Sequence, residues 1–398
     1  MSDLPITLIE VRNSRESEET PVVMEQIFAA LGSTHGGGFF DKLFGKKYAQ
    51  NYFSFELLSV NAGIHFIAGF PTHAATYVES QLTAHYPKIM LSASPDYVPH
   101  FLTLPHVIGQ LALTNAYYYP LKTYKDVKDT DLLSSILGQL AKLPQGEAVA
   151  IQIRIAPAGS GWQRSAASVL AAGIPDPSST LGRTKTHPHA RLIEGKINQV
   201  GFVTSIRVLA VGPSTDAAKT LLHTLSGTFG VFILGEGNGL AMTEPAFWQH
   251  KKMETAFLTR SSTLTPRNQI IGAAELATLW HPPGMSLSAI KNISWGALLT
   301  SQAPDNLPIA TENEEEKKTI NFFARTEFKN KPATFGIKKD DRRKHLYIVG
   351  KTGTGKTQLL EETVMQDIKA GRGVAVIDPH GDLIDGILQR MPPERAED

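Results

Sequence analysis

Eight consecutive residues, Gly350-Lys351-Thr352-Gly353-Thr354-Gly355-Lys356-Thr357, have the composition and spacing of a phosphate cradle. The run matches G-x-x-x-x-G-K-[ST] throughout. Phosphate oxygens must be met by many N–H donors at short range. Glycines at 350, 353 and 355 let the backbone curl so that these donors converge, at angles that side chains would block. A helix starting near Lys356 adds unpaired N–H groups and the positive end of its dipole. Lys356 supplies a mobile charge to the β- and γ-phosphates, and the Thr357 hydroxyl is placed to ligate Mg²⁺. Gln358 offers one more backbone N–H, to the α-phosphate. The expected cofactors are ATP and Mg²⁺.

An acidic segment follows at Asp378-Pro379-His380-Gly381-Asp382. Four apolar residues and then Asp378 have the form of a Walker B strand, which holds Mg²⁺ through water. The segment comes directly after the phosphate-loop helix, where a Walker B strand is out of place. A turn capped by Asp and Gly is the preferred reading.

Positioning these groups requires strand, loop, helix and strand in that order. Leu346 to Val349 reads as a short buried-type strand, and Val374 to Ile377 as the next. Between them Leu360, Val364 and Ile368 form one helical stripe that closes at Gly371.

Upstream, residues 5–10 read as a strand and Pro21 to Leu31 as a helix. Gly32 to Lys47 reads as a surface loop, with Phe39, Phe40, Leu43 and Phe44 as a docking knob in the alternative. Phe53 to Val60 and Ile64 to Phe70 form a hairpin about Asn61-Ala62-Gly63. A helix then carries Ala74, Val78 and Leu82 on one stripe and stops at Pro87. Asp131 to Leu143 reads as a helix and residues 149–155 as a strand. Phe202 to Val211 repeats the pattern of apolar strand, Gly-Pro-Ser turn and amphipathic helix. Two strand-strand-helix modules of ferredoxin-like type are expected, as a duplication in one reading. Glu275 to Pro283 reads as a helix stopped by proline, and its Trp280 and His281 either stack a ligand or pack on the body.

The charged run 311–318, TENEEEKK, is the expected linker. It separates an α+β region at 1–310 from the start of an α/β P-loop NTPase domain, RecA-like, at 319–398. Of the 398 residues 42% are apolar and 19% charged, as in ordinary globular chains, and the net charge of +1 gives no field that singles out nucleic acid or acidic membranes. The absence of cysteine excludes disulfides and thiolate zinc sites and permits a reducing compartment. No apolar run reaches the roughly 18–20 residues of a spanning helix, and the N-terminus lacks the features of a signal peptide. The expected placement is cytoplasmic, or peripheral at the inner membrane through a partner.

Residues 341–382 resemble the HerA/FtsK superfamily of pumping ATPases, most of all HerA-type helicases and the conjugative type IV secretion and coupling ATPases (TraD/TraG-like). The carrying features are Asp341-Arg342-Arg343 and His345, the GKTGTGKT loop, and VIDPHGD at 376–382. Residues 131–137 and 275–281 also look like an accessory domain found ahead of such ATPases. The resemblance implies a homo-hexameric ring that binds ATP at subunit interfaces and moves DNA or a DNA–protein substrate, with secretion-system or membrane-associated partner proteins. Nothing before residue 398 maps onto the family's Walker B pair, sensor or arginine finger. The chain is therefore expected to be a fragment that binds ATP without turning it over. The alternative is a non-catalytic scaffold protein with a remnant P-loop.

Overall fold

The computed structural model describes residues 6–32, 52–61, 63–128, 130–175, 184–296, 304, 306–310, 314–326, 333–350 and 353–395. The chain divides into two compact units, Met1–Leu298 and Leu299–Asp398.

The first unit is built on one nine-stranded sheet. Its strands are β1 (Ile6–Arg12), β2 (Phe53–Val60), β3 (Gly63–Pro71), β4 (Met90–Ala93), β5 (His106–Leu113), β6 (Ala148–Pro157), β7 (Gly201–Val211), β8 (Leu240–Thr243) and β9 (Ile270–Gly272). The order is β8-β5-β7-β6-β2-β3-β1-β4, with β9 pairing on β7, and every pairing is antiparallel. The expected hairpin is β2 and β3, in register from Ser54 opposite Gly69 to Val60 opposite Gly63.

Alternation assigns the two faces. On β6, Val149, Ile151, Ile153 and Ile155 point into the main core. There they meet α1 (Pro21–Gly32), α2 (Ala75–His85), α3 (Leu133–Leu140), α5 (Thr215–Thr228) and α7 (Ala273–Leu279). A further helix, α4 (Ala190–Ile197), carries Lys196. Ala148 and Ala150 point the other way, into a smaller core with Met253 and Phe257 of α6 (His250–Leu258). Gln152 and Arg154 share that second face and are also buried. A sheet buried on both faces cannot show the polar-out alternation of a half-exposed one, which is why β5 is hard to read from sequence.

Burying polar side chains requires partners. Glu56, with none of its surface exposed, accepts from Arg260 Nε at 2.8 Å, Ser54 Oγ at 2.5 Å, Gln152 Nε2 at 3.2 Å and Tyr97 OH at 2.7 Å. Arg260 also grips both Asp96 oxygens, at 3.0 and 3.1 Å. Arg207 donates to Gln152 Oε1 and to the carbonyls of Ala256, Ser261 and Thr263. Burial, and then the nearby Arg154, bring the Arg207 guanidinium down to about 10. Burial opposes the charge of Arg260 as well, but Glu56 and Asp96 outweigh it and hold its pKa above the ordinary value.

Two smaller buried ion pairs join helices and the segments beside them. Lys196 donates to Glu275 at 3.1 Å, and Glu275 accepts the Leu121 and Gly272 N–H groups at 2.6 and 2.5 Å. His281 meets Asp131 at 3.0 Å, and Ser286 Oγ donates to the same oxygen at 2.8 Å. Trp280 is fully buried against Phe55 and Phe66, and its indole N–H donates to the Glu56 carbonyl at 3.1 Å. Of the two roles weighed for Trp280 and His281, the structure shows packing. The Phe39 to Phe44 knob lies outside the described residues.

The second unit holds a hairpin, β10 (Ile320–Arg325) with β11 (Thr334–Lys338), and the helices α8 (Lys356–Lys369) and α9 (Asp382–Gln389). Pro308 and Ala310 bond to β11, and Glu314–Lys317 of the charged run is helical. Two sequence expectations fail here. Residues 346–349 and 374–377 are not strands, and they are not buried: Tyr347 is 90% exposed, Val349 76% and Ile377 94%. A strand needs ladder partners, and these segments have none among the described residues, although Val376 packs partly against the small core. The stripe expected on α8 is realised at Ile368 and, partly buried, at Val364, but not at Leu360. Met365 and Ile368 are buried with Ile387, whereas Leu360 is 41% exposed.

Candidate nucleotide-binding site

The phosphate-loop sequence leads directly into α8. Gly353 has φ +81° and Gly355 has φ +88°, both in the left-handed region that other residues enter at a cost. Gly355 is the N-cap of α8. At Gly350 the constraint is space: a Cβ there would lie 2.5 Å from Thr354 Oγ1. Lys356 folds back over the loop, its ammonium donating to the Gly350 carbonyl at 2.7 Å. Thr357 and Gln358 lie exposed on the first turn. Gly350, Gly353, Thr354, Gly355, Lys356, Thr357 and Gln358 are thus brought together in one turn. Lys351 and Thr352 lie outside the described residues. The backbone N–H groups of the first turn have no helical acceptor, so the turn is a donor-rich end for an anion.

Asp378 has a different job. Its carboxylate accepts the His380 N–H at 3.1 Å and the Leu383 N–H at 2.8 Å, and these bonds hold its pKa below the usual carboxylate value. Gly381, at φ +88°, caps α9. This is the capped turn preferred from the sequence, and it starts α9, whose far end is tied to α8 by Arg390 on Glu361 and Glu362.

What holds α8 in place escaped the sequence reading. Asp367 accepts both Arg342 nitrogens, at 2.7 and 2.5 Å, and Arg372 Nη1 at 2.8 Å. Burial works against the Asp367 charge, but the two guanidinium groups keep its pKa low. Arg372 also donates to the Lys318 carbonyl at 2.9 Å. Gln366 clamps β10 at both ends of one residue, accepting the Phe322 N–H at 2.9 Å and donating to the Phe322 carbonyl. The helix that presents the loop is therefore fixed to the segment after the hairpin by the charge-assisted fork of Arg342, roughly twice as strong as neutral bonds, and to β10 by the neutral amide of Gln366. Arg342 was visible in the sequence as part of a family feature, while Asp367 and Arg372 carried no signal of their own.

Two family models match the chain. Residues 3–295 match one described as a domain of unknown function (DUF8128). Residues 330–390 match the type IV secretion-system coupling protein DNA-binding domain (TrwB_AAD_bind), which relates this segment to coupling proteins. No curated protein matches. Among solved structures, aclacinomycin oxidoreductase is similar over 57% of this chain at 11% identity with a TM-score of 0.25, and the chain spans 42% of its length. A likeness at that level carries no argument.

Proposed function

The chain belongs to the DUF8128 family over residues 3–295, and from that premise we propose that it is the ATP-binding subunit of a DNA-translocating or conjugative type IV coupling ATPase of HerA-like type. The observation that carries this reading is the loop itself. Gly350 is tight against Thr354, Gly353 and Gly355 are left-handed, and Lys356 arches over them at the N-terminus of a 14-residue helix. The coupling-protein match over the same residues supports it.

The residues fit ATP and Mg²⁺. Thr354 and Gly355 would offer backbone N–H groups to phosphate, Lys356 its ammonium, Thr357 its hydroxyl to the metal and Gln358 a further N–H. The bound metal would offset phosphate charge, and the chain's own task is to hold and orient the triphosphate. A RecA-like core, a hexameric ring and DNA as the moved substrate belong to the same proposal. Arg343 and Lys344, exposed shortly before the loop, supply positive charge of the kind that meets a phosphate backbone. For the first unit we infer ferredoxin-like modules, supported by β2-β3-α2 and β7-α5.

Calorimetry with the full chain tests the site. Mg-ATP should bind, and Lys356→Ala should weaken it by at least tenfold, since a charge-assisted bond contributes about 1.5–3 kcal/mol. Thr357→Ala should lose the dependence of affinity on Mg²⁺. Equal affinity in wild type and Lys356→Ala would sink the assignment.

A further inference from the structure

Phe247 and Trp248 are two adjacent, strongly exposed large aromatic residues of the first unit, at 86% and 79%. They stand side by side on a single 3-10 turn, Phe247–Gln249, at the start of α6. A lone exposed apolar side chain needs no explanation, but two adjacent large rings do. The turn is braced rather than loose. Gln249 N–H donates to the Ala246 carbonyl at 2.7 Å, and His250 Nε2 meets the Pro245 carbonyl at 3.0 Å. The His250 ring also lies 6.0 Å from that of Phe247. Behind the turn, Met253 and Phe257 of α6 are locked into the second core. The rings are therefore held outward on a rigid base.

Exposed positive charge lies beside the rings. Lys251 and Lys252 follow at three and four residues from Trp248, which is neighbouring spacing along a helix, and both are exposed. The two nearby acids are engaged. Glu244 meets His223 at 3.3 Å and Lys219 at 3.7 Å, and Glu254 meets His106 at 3.4 Å. An apolar pair beside two exposed lysines is complementary to a surface that is apolar below and anionic above.

We propose that this turn is a membrane anchor, with Phe247 and Trp248 entering the acyl boundary of an anionic bilayer and Lys251 and Lys252 resting on lipid phosphates. Trp suits the headgroup level because its ring is apolar and its N–H polar, whereas Phe has no polar handle and gains by going deeper. Nucleic-acid stacking platforms set their aromatics in a groove that tracks the phosphate backbone. Here each ring stands clear of its surroundings, which favours insertion over stacking. Binding of this kind is reversible and scales with buried apolar area and lipid charge. It does not depend on nucleotide at the P-loop.

The test is co-sedimentation of the full chain with phosphatidylcholine vesicles, with and without about a third of phosphatidylglycerol. Binding should appear with the anionic vesicles. Phe247→Ala with Trp248→Ala should weaken it at least tenfold, and each of Lys251→Gln and Lys252→Gln about fivefold. Val22→Ser, an exposed apolar site on α1, should leave it unchanged. Because these are surface positions, circular dichroism should match wild type for every variant. As a second readout, vesicles should blue-shift the tryptophan emission of wild type but not of Trp248→Phe. No binding to anionic vesicles would overturn the proposal. So would binding unaffected by the aromatic pair, or a Trp248 emission that responds to a single-stranded oligonucleotide and not to vesicles.

Discussion

The first unit sinks charges into its interior, and the second leaves apolar side chains in water. Glu56, Arg207 and Arg260 are all buried, and each has several partners on the sheet or on the loop after α6. Tyr347, Val349 and Ile377 are apolar or nearly so, and all are at least 76% exposed. The contrast shows where strand formation comes from. Residues 148–157 and 374–377 are both rich in Val and Ile, yet only the first finds neighbours on both sides. Intrinsic preference is a weak force, and the ladder with its covered faces decides the outcome. The charges teach the complementary point. A buried guanidinium is tolerable where four or five acceptors are preorganised around it, and here the sheet and the loop after α6 supply most of them.

Breaking that arrangement should have the largest effect. Arg260→Ala leaves Glu56 buried without its cation, which costs about 3–5 kcal/mol. In urea unfolding of the full chain this should appear as a lower midpoint for the first unit, with the second unit's signal unmoved. A loss below about 1 kcal/mol would mean that water reaches the site and that the unit is looser than described.

Asp367→Ala is the matching change in the second unit. It releases Arg342 and Arg372 together, but both guanidinium groups are partly exposed and can turn to solvent. The expected cost is about 1–3 kcal/mol, seen as faster hydrogen exchange in β10 and α8. Unchanged exchange there would show that Gln366 and the small core around Ile368 are sufficient.

The Asp131–His281 pair gives a smaller, pH-dependent effect. Burial would raise Asp131, but His281 and Ser286 bring it down to about 2 from an ordinary 3.8. Its contribution is complete above 3.8 and fades as pH falls toward about 2. Burial would lower His281, but Asp131 raises it above 6.5. That contribution is complete below 6.5 and fades as pH rises through the folded value. Asp131→Asn should therefore lower Tm more at about pH 5 than at about pH 8. An equal loss at both would show that the pair does not titrate as a salt bridge.

What could be read in the sequence follows from how far apart the cooperating residues lie. The phosphate loop is contiguous, and the chemistry dictates its glycines and lysine one by one, so it was legible at once. So was the hairpin of β2 and β3, which is local. The network of Glu56 with Arg260 joins residues 204 apart, and no periodicity marks it. The clamp of Asp367 on Arg342 spans 25 residues and likewise leaves no pattern. The segments 346–349 and 374–377 show the opposite limit, because there the local pattern is clear and the partners that would realise it are not among the described residues.

Hydrogen exchange of the full chain with and without Mg-ATP tests the central claim most directly, because it asks where nucleotide acts as well as whether it binds. Protection should rise over residues 350–360, at the loop and the first turn of α8, with β2, β6 and β7 of the first unit unchanged. The Lys356→Ala chain should show no such rise. Protection that appears in the first unit instead, or that survives Lys356→Ala at full strength, would contradict the assignment of nucleotide binding to this loop.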